Sequence, residues 1–411
     1  MSFNQYTWDL YKQTTIGIEM IKYFSDAGGY VLFKDYCPYA NFIPEDLYND
    51  WLENIYCYGV SDYDHPSLLE EAKDLYISII TLGIRVEGQQ WLPANDFKNM
   101  LGIIQPMSYV LSQFAPEYFF PYLFLCRIFE LNKIADFFNI DLPNIPKRTD
   151  YKGRCMYYWE LCEVFYLFRK ENGLSPADLW SFLYDFAPNN LPSEKIDMPK
   201  PSQVWFIGGR LYQEDKSLES KFWQSSTETK KGDILVHYET SPISAITCIE
   251  ISLTDGVIDP LFRYYGCIYI GNRINIPHIT LKELQTDEYF FKHPLVRKNF
   301  QGVNGWSVNS ENYSELLRMI KTKGFDIEVL PKLYAPTLPK DVIIEYEHDV
   351  EQQLLEPLLN SMGWYENKDF IRQLPIQAGR GHRIFPDYAL HYGNKPNEER
   401  AKVLIEAKLC M

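Results

Sequence analysis

Through the first 190 residues, apolar side chains recur at intervals of three and four. In HPSLLEEAKDLYISIITLGI, Leu68, Leu69, Ala72, Leu75, Tyr76 and Ile79 fall on one face of a helix. MYYWELCEVFYLFRKENG repeats that spacing and meets Gly173, a natural C-terminal cap. SPADLWSFLYDFAP opens on Ser175 as N-cap with Pro176 at the first helical position, and Pro188 closes it. The most apolar stretch, YFFPYLFLCRIFEL (118–131), is too short to span a bilayer and holds Pro121, Arg127 and Glu130. It predicts a buried helix.

After APNNLPSEKIDMPKPSQ (187–203), rich in proline and without a long apolar run, the period changes. VWFIGG, DILVHYET, SAITCIEISL and YGCIYIG read as short strands separated by turn residues, as in a small barrel or sandwich. SENYSELLRMIKTKG then reads as a helix stopped at Gly324. A second proline-containing joint, 330–340, leads to DVEQQLLEPLLNSMGW. This is a helix with Leu354, Leu355, Leu358 and Leu359 on its apolar face, Glu351 on or beside that face, and Gly363 as cap. DFIRQLPIQ (369–377), RIFPDYALHY (383–392) and AKVLIEAKL (401–409) read as three strands. The pattern gives a multidomain α+β chain with an all-helical region at 1–190, a small β-barrel at 203–325 and an α/β module at 341–411.

Composition changes this picture little. Hydrophobic residues are 46% and aromatics 16%, enough for a packed core throughout. The start, MSFNQYTWDLYKQ, lacks the charged and apolar regions of a signal peptide. The eight cysteines show no CxxC pair and no zinc spacing with histidine, which suits reduced thiols in a cytoplasmic protein. Net charge is −15, and residues 1–150 carry 10 Lys and Arg against 20 Asp and Glu. Most of the acidity therefore lies in the helical region, which reads as scaffold or protein contact, and the remainder is close to neutral. No GxGxxG, GxxxxGK, GxSxG or HExxH occurs.

The last segment carries the sharpest chemistry. Strand alternation puts Glu406 and Lys408 on one surface. If the second and third strands pair, Asp387 joins them. Two carboxylates with the Ala407 carbonyl between them make an oxygen-rich site for Mg²⁺ or Mn²⁺. A lysine ammonium there can orient a water, assist its deprotonation and stabilise charge on a phosphorane-like transition state.

A helix glutamate, then PD in RIFPDYAL, then EAK in VLIEAKL, resembles the PD-(D/E)xK nuclease superfamily. The flanking words are most similar to the N-terminal nuclease module of type I restriction subunits. The resemblance covers about 70 residues from Asp341. It implies a restriction-endonuclease-like fold, Asp387 and Glu406 as metal ligands, Lys408 as the catalytic lysine and Glu351 as a supporting carboxylate. Lys368, Arg372, Arg380 and Arg383, with the glycines of AGRGHR, would then face phosphate. Relatives continue past the lysine into a helix and strand that complete the site. Against that pattern the module is incomplete, and uncovered apolar faces and a strand edge are expected.

The middle segment is rich in rings: Trp205, Phe206, Tyr212, Trp223, Tyr238 and Trp306. A ring stacks an extruded base for about 1–3 kcal/mol. For each ring taken singly, a core position is the alternative. KKGD before a strand, an early Trp, and FQGVNGW before the closing helix make residues 203–322 similar to an EVE-type module of the PUA-like superfamily. That resemblance implies a nucleic-acid-binding barrel holding a modified base among Trp205, Tyr212, Trp223, Tyr238 and Trp306. The two resemblances together imply a Mg²⁺-dependent endonuclease of prokaryotic antiviral defence that restricts base-modified DNA. It would act in the cytoplasm, without membrane contact, as a dimer or with a partner subunit. The alternative is a nucleic-acid-binding sensor or regulator whose nuclease part is inactive or completed in trans.

Overall fold

The computed structural model describes residues 3–37, 43–86, 89–192, 198–210, 220–334, 342–379, 382–393 and 400–408. The fold is mixed α and β, with a helical N-terminal region and a curled half-barrel sheet. The chain divides into two compact units. One comprises Met1–Ile196, Phe222–Thr227 and Gly256–Ile268; the other comprises Asp197–Lys221, Glu228–Asp255 and Tyr269–Met411.

The first unit is built on helices, but it also holds a hairpin of β1 (Ile84–Val86) and β2 (Gln89–Leu92). It is therefore not all-helical as expected. Gly83, at φ +77°, ends the helix Leu69–Leu82 and turns the chain into that hairpin. The buried stripe of this helix is Ala72, Leu75, Tyr76, Ile79 and Ile80. Leu68 precedes the helix and is 61% exposed, so the stripe begins later than the spacing predicted. Glu71 closes the helix start by accepting from the Ser67 amide at 2.7 Å.

Residues 118–127 do not form the predicted helix; the helix starts only at Ile128. Pro121 cannot donate and disfavours a helical predecessor. The segment is nonetheless buried: Phe119, Phe120, Tyr122, Leu123 and Phe124 are at most 1% exposed. Hydroxyl groups replace the missing ladder. Ser108 Oγ accepts from the Tyr122 amide, the Tyr158 hydroxyl donates to Phe120 O at 2.7 Å, and the Tyr184 hydroxyl donates to Pro121 O.

Ser175 and Pro176 open their helix as expected, with Ser175 Oγ accepting from the Asp178 amide at 3.1 Å. Pro188 does not end it. Residues Phe182–Phe186 form a π-turn in which the Ala187 amide reaches Phe182 O, and Ala187–Asn190 continue as helix. The wider turn takes the amide-to-carbonyl ladder past the proline ring. Glu351–Leu355 repeats the device: the Glu356 amide reaches Glu351 O, and Pro357 lies inside the helix Glu356–Ser361. In both cases the proline is six residues after the first residue of the wide turn.

Asp259 is fully buried in the first unit. Its Oδ1 accepts from the amides of Leu261 and Phe262, at 2.9 and 3.1 Å. Burial pushes its carboxyl up to about 7, against those hydrogen bonds and the Arg154 guanidinium. The folded state therefore prefers a protonated Asp259, whereas an unfolded aspartate ionises near 3.9. Stability from this group is fully present below about pH 4 and is lost as pH rises through about 7, a change on the order of 3–4 kcal/mol. Asp233, raised to about 6 by burial, adds a slope of the same sign ending lower. Denaturant titrations of Asp259→Asn should lose the decline between pH 6 and 7 and show a shallower decline between pH 4 and 6, where Asp233 alone remains. An unchanged profile would show that Asp259 does not titrate on unfolding.

In the second unit, β3 (Val204–Gly209) lies between β5 (Ile234–Glu239), to which it runs parallel, and β9 (Trp306–Val308), to which it runs antiparallel. β6 (Ala245–Ser252) follows β5, and β8 (Gly266–Thr280) follows β6. β4 (Ser220–Gln224) and the short β7 (Val257–Ile258), which fall mostly or wholly in the first unit, pair with β8. Val204, Phe206, Ile234, Val236, Tyr238, Ile249 and Ile251 share one core with Leu295, Val296, Phe300 and the helix Ser310–Thr322. Strand alternation assigns Trp205, Ile207, Leu235, His237, Cys248 and Glu250 to the other face, and they are buried as well.

Among its described residues the C-terminal part has five short strands where three continuous ones were predicted. β10 (Phe370–Arg372) and β11 (Ile376–Gly379) are separated at Gln373, whose φ is +53°. β12 (His382–Ile384) and β13 (Tyr388–Leu390) are separated around Pro386, which cannot donate to a ladder. β14 is Val403–Ile405. β10, β13 and β14 form one antiparallel sheet, and β11 pairs with β12. Leu359, Trp364, Phe370, Tyr388 and Leu390 form the core beneath. Of the predicted helix face, Leu359 is buried and Leu354, Leu355 and Leu358 only partly so. Ion pairs join this part to turns of the half-barrel: Lys230 with Asp369, Lys402 with Glu228, and Lys368 with Asp255 at 3.6 Å.

Candidate active site

β13 and β14 pair with Tyr388 opposite Ile405 and Ala389 opposite Leu404. Asp387 immediately precedes β13, and Glu406 immediately follows β14. One further step of the same antiparallel register sets residues 387 and 406 opposite each other. They lie at strand ends, not inside strands as the alternation predicted. Asp387 Oδ2 accepts from the Ala407 amide at 2.6 Å, and Oδ1 accepts from Gln373 Nε2 at 3.2 Å. Lys408 Nζ donates to Glu406 Oε1 at 3.2 Å. The Glu406 hydrogen bond and charge, then Glu347 and Asp387, hold the Lys408 ammonium above its ordinary range. Lys408 is thus a cationic donor, suited to stabilising negative charge rather than to removing a proton.

Glu351 is engaged elsewhere. Its carboxylate is 3.7 Å from Arg372 Nη2, and it does not gather with Asp387 and Glu406 into a three-ligand cluster. Arg372 also pairs with Glu356, donates to the Tyr388 hydroxyl at 3.0 Å and stacks over its ring. Burial, opposed by Arg372, pushes that hydroxyl up to about 12. Arg372 is therefore tied between helix and sheet. Arg383 and His382 are exposed on β12. Arg380 lies outside the described residues, as does Tyr212.

Asp387 and Glu406 are both carboxylates at neighbouring strand ends, the donor type that hard divalent cations take. Beside them is a cavity of about 380 Å³ lined by Ile384, Phe385, Pro386, Leu404, Ile405 and Glu406. Among the described residues β14 pairs with β13 alone, and Val403, Leu404 and Phe385 are exposed, so this side carries an apolar surface.

In the half-barrel, Trp205 and Tyr238 are each 3% exposed. Trp205 Nε1 donates to Asp233 Oδ2 at 2.9 Å, and the same carboxylate oxygen accepts from the Lys230 amide at 2.8 Å. The KKGD turn is thereby fixed from inside. Tyr238 stacks on Phe300 with centroids 4.0 Å apart, within the core. Trp223 and Trp306 are half-buried, and Trp306 packs against that core.

Sequence reasoning missed one group. His237 on β5 and Cys248 and Glu250 on β6 bring their ligand atoms within 4.8 Å of one another, all buried. No local spacing marks them, because cross-strand pairing assembles them. The alternation Cys-x-Glu opposite a strand histidine is the only trace in the sequence.

No protein-family model and no curated protein matches the chain. Among solved structures it is similar to three. Rpa0253 from Rhodopseudomonas palustris is 13% identical, the match covering 29% of this chain and 94% of that one, with TM-score 0.26. Atu2648 from Agrobacterium tumefaciens is 18% identical over 29% and 92%, with TM-score 0.25. A hypothetical protein from Leishmania major is 11% identical over 30% and 98%, with TM-score 0.25.

Proposed function

We propose that this protein is a metal-dependent endonuclease that hydrolyses phosphodiester bonds of base-modified DNA in prokaryotic defence. In this reading the half-barrel is a PUA-like, EVE-type reader, and residues 341–411 form a PD-(D/E)xK module acting in the cytoplasm with a second copy or a partner subunit. The observation that supports the reading is the register that sets residues 387 and 406 at paired strand ends, with the Ala407 amide donating to Asp387 and Lys408 donating to Glu406. Asp387 and Glu406 would hold Mg²⁺ or Mn²⁺, with the Ala407 carbonyl between them. When bound, the ion supplies Lewis acidity toward the phosphodiester. The Ala407 amide orients Asp387, and Gln373 holds its second oxygen. The Lys408 ammonium donates to the charge that develops on phosphate oxygen.

The test is incubation of the full chain with unmodified, methylated and hydroxymethylated duplexes, with Mg²⁺ and with chelator. Mg²⁺-dependent cutting of a modified duplex is expected. The engagement of Glu351 by Arg372 favours the second reading, a sensor whose nuclease part is inactive or completed in trans. Binding without cleavage of any duplex would decide for it.

A further inference from the structure

We propose that His237, Cys248 and Glu250 form a second metal centre, for a zinc-class ion, inside the half-barrel and separate from Asp387 and Glu406. His237 stands opposite Cys248 in the β5–β6 register, and Glu250 is two residues further along β6 on the same face. His237, Cys248 and Glu250 are 0%, 0% and 2% exposed. His237 Nδ1 and Glu250 Oε2 share a hydrogen bond at 3.0 Å, which an entering ion would replace, and all three ligand atoms lie within 4.8 Å of one another. Imidazole, thiolate and carboxylate are zinc-type donors, and the sulfur disfavours Mg²⁺ and Ca²⁺. Arg273 Nε holds the other Glu250 oxygen at 2.8 Å, fixing the carboxylate as outer partners of metal ligands do.

Charge supports the assignment. Glu250 and Glu239 are buried carboxylates, and Glu239 acts on both Cys248 and Arg273. A divalent ion entering there would displace the Cys248 thiol proton to solvent.

The test uses the full chain, purified without chelator or metal-affinity resin. Mass spectrometry should find about one zinc per chain. After unfolding and refolding with Co²⁺, a thiolate-to-cobalt charge-transfer band should appear. It should vanish in Cys248→Ser, or in Cys248→Ala if the serine variant does not fold, and persist in Cys57→Ser, which alters an exposed thiol. Zinc should raise the midpoint temperature of metal-stripped wild type. Absence of the band in wild type, its survival in a folded Cys248 variant, or its loss in Cys57→Ser would overturn the proposal. The wild-type spectrum decides even if no Cys248 variant folds.

Discussion

Lys408→Ala should lower Mg²⁺-dependent cleavage of a modified duplex by about 10²-fold or more and leave duplex affinity within about twofold. The ammonium is 65% exposed and its hydrogen bond runs to Glu406, two residues away, so the fold does not depend on it. Its proposed part is confined to charge that appears in the transition state, and this selectivity separates a catalytic lysine from a duplex-binding one. Fluorescence anisotropy on uncut duplex in Ca²⁺ and single-turnover cleavage in Mg²⁺ measure the two quantities. A parallel loss of affinity would make Lys408 a binding or structural residue. Full activity in the variant would remove it from the mechanism.

Phe182→Ala should destabilise the helical unit by about 3–5 kcal/mol, a large share of the roughly 5–15 kcal/mol that holds a domain folded. Phe182 is fully buried, with Phe3, Trp8, Phe138, Phe168 and Phe186 around it at centroid separations from 4.9 to 6.2 Å. Truncation removes one member of each pair and leaves a cavity walled by rigid rings, which close a gap poorly. Phe182 also supplies the carbonyl of the π-turn, but the substitution leaves that backbone bond available, so the loss reports packing. The check is the guanidinium midpoint of the unit's transition, followed by far-ultraviolet circular dichroism. A loss below about 1 kcal/mol would mean that the surrounding rings collapse into the space.

Legibility in the sequence followed the range of each signal. The helix at Ser175 could be read because cap and first turn lie within four residues. Strands β3, β5 and β6 could be read because both of their faces are buried, leaving apolar runs of recognisable length. The segment around Pro121 was misread because its backbone is satisfied by the side chains of Ser108, on the preceding helix, and of Tyr158 and Tyr184, much further along the chain. At the candidate site, Asp387, Glu406 and Lys408 were legible as types and spacing. Their seats at strand ends were not, because Pro386 and the left-handed Gln373 interrupt the strands. The tie between Glu351 and Arg372 depends on how the helix lies on the sheet, which no periodicity encodes. The same holds for His237 and Glu250.

The two wide turns that precede Pro188 and Pro357 have a consequence for how these helices can vary. Each accommodates its proline through length: one surplus residue per turn moves the ladder past the ring. Deleting a single residue between 182 and 186, or between 351 and 355, would restore regular winding and drive the ring into the carbonyl four places earlier. It would also rotate everything downstream by about 100° about the axis. A change of side chain leaves the winding of these stretches intact whatever it costs in packing, whereas a change of one codon in length does not.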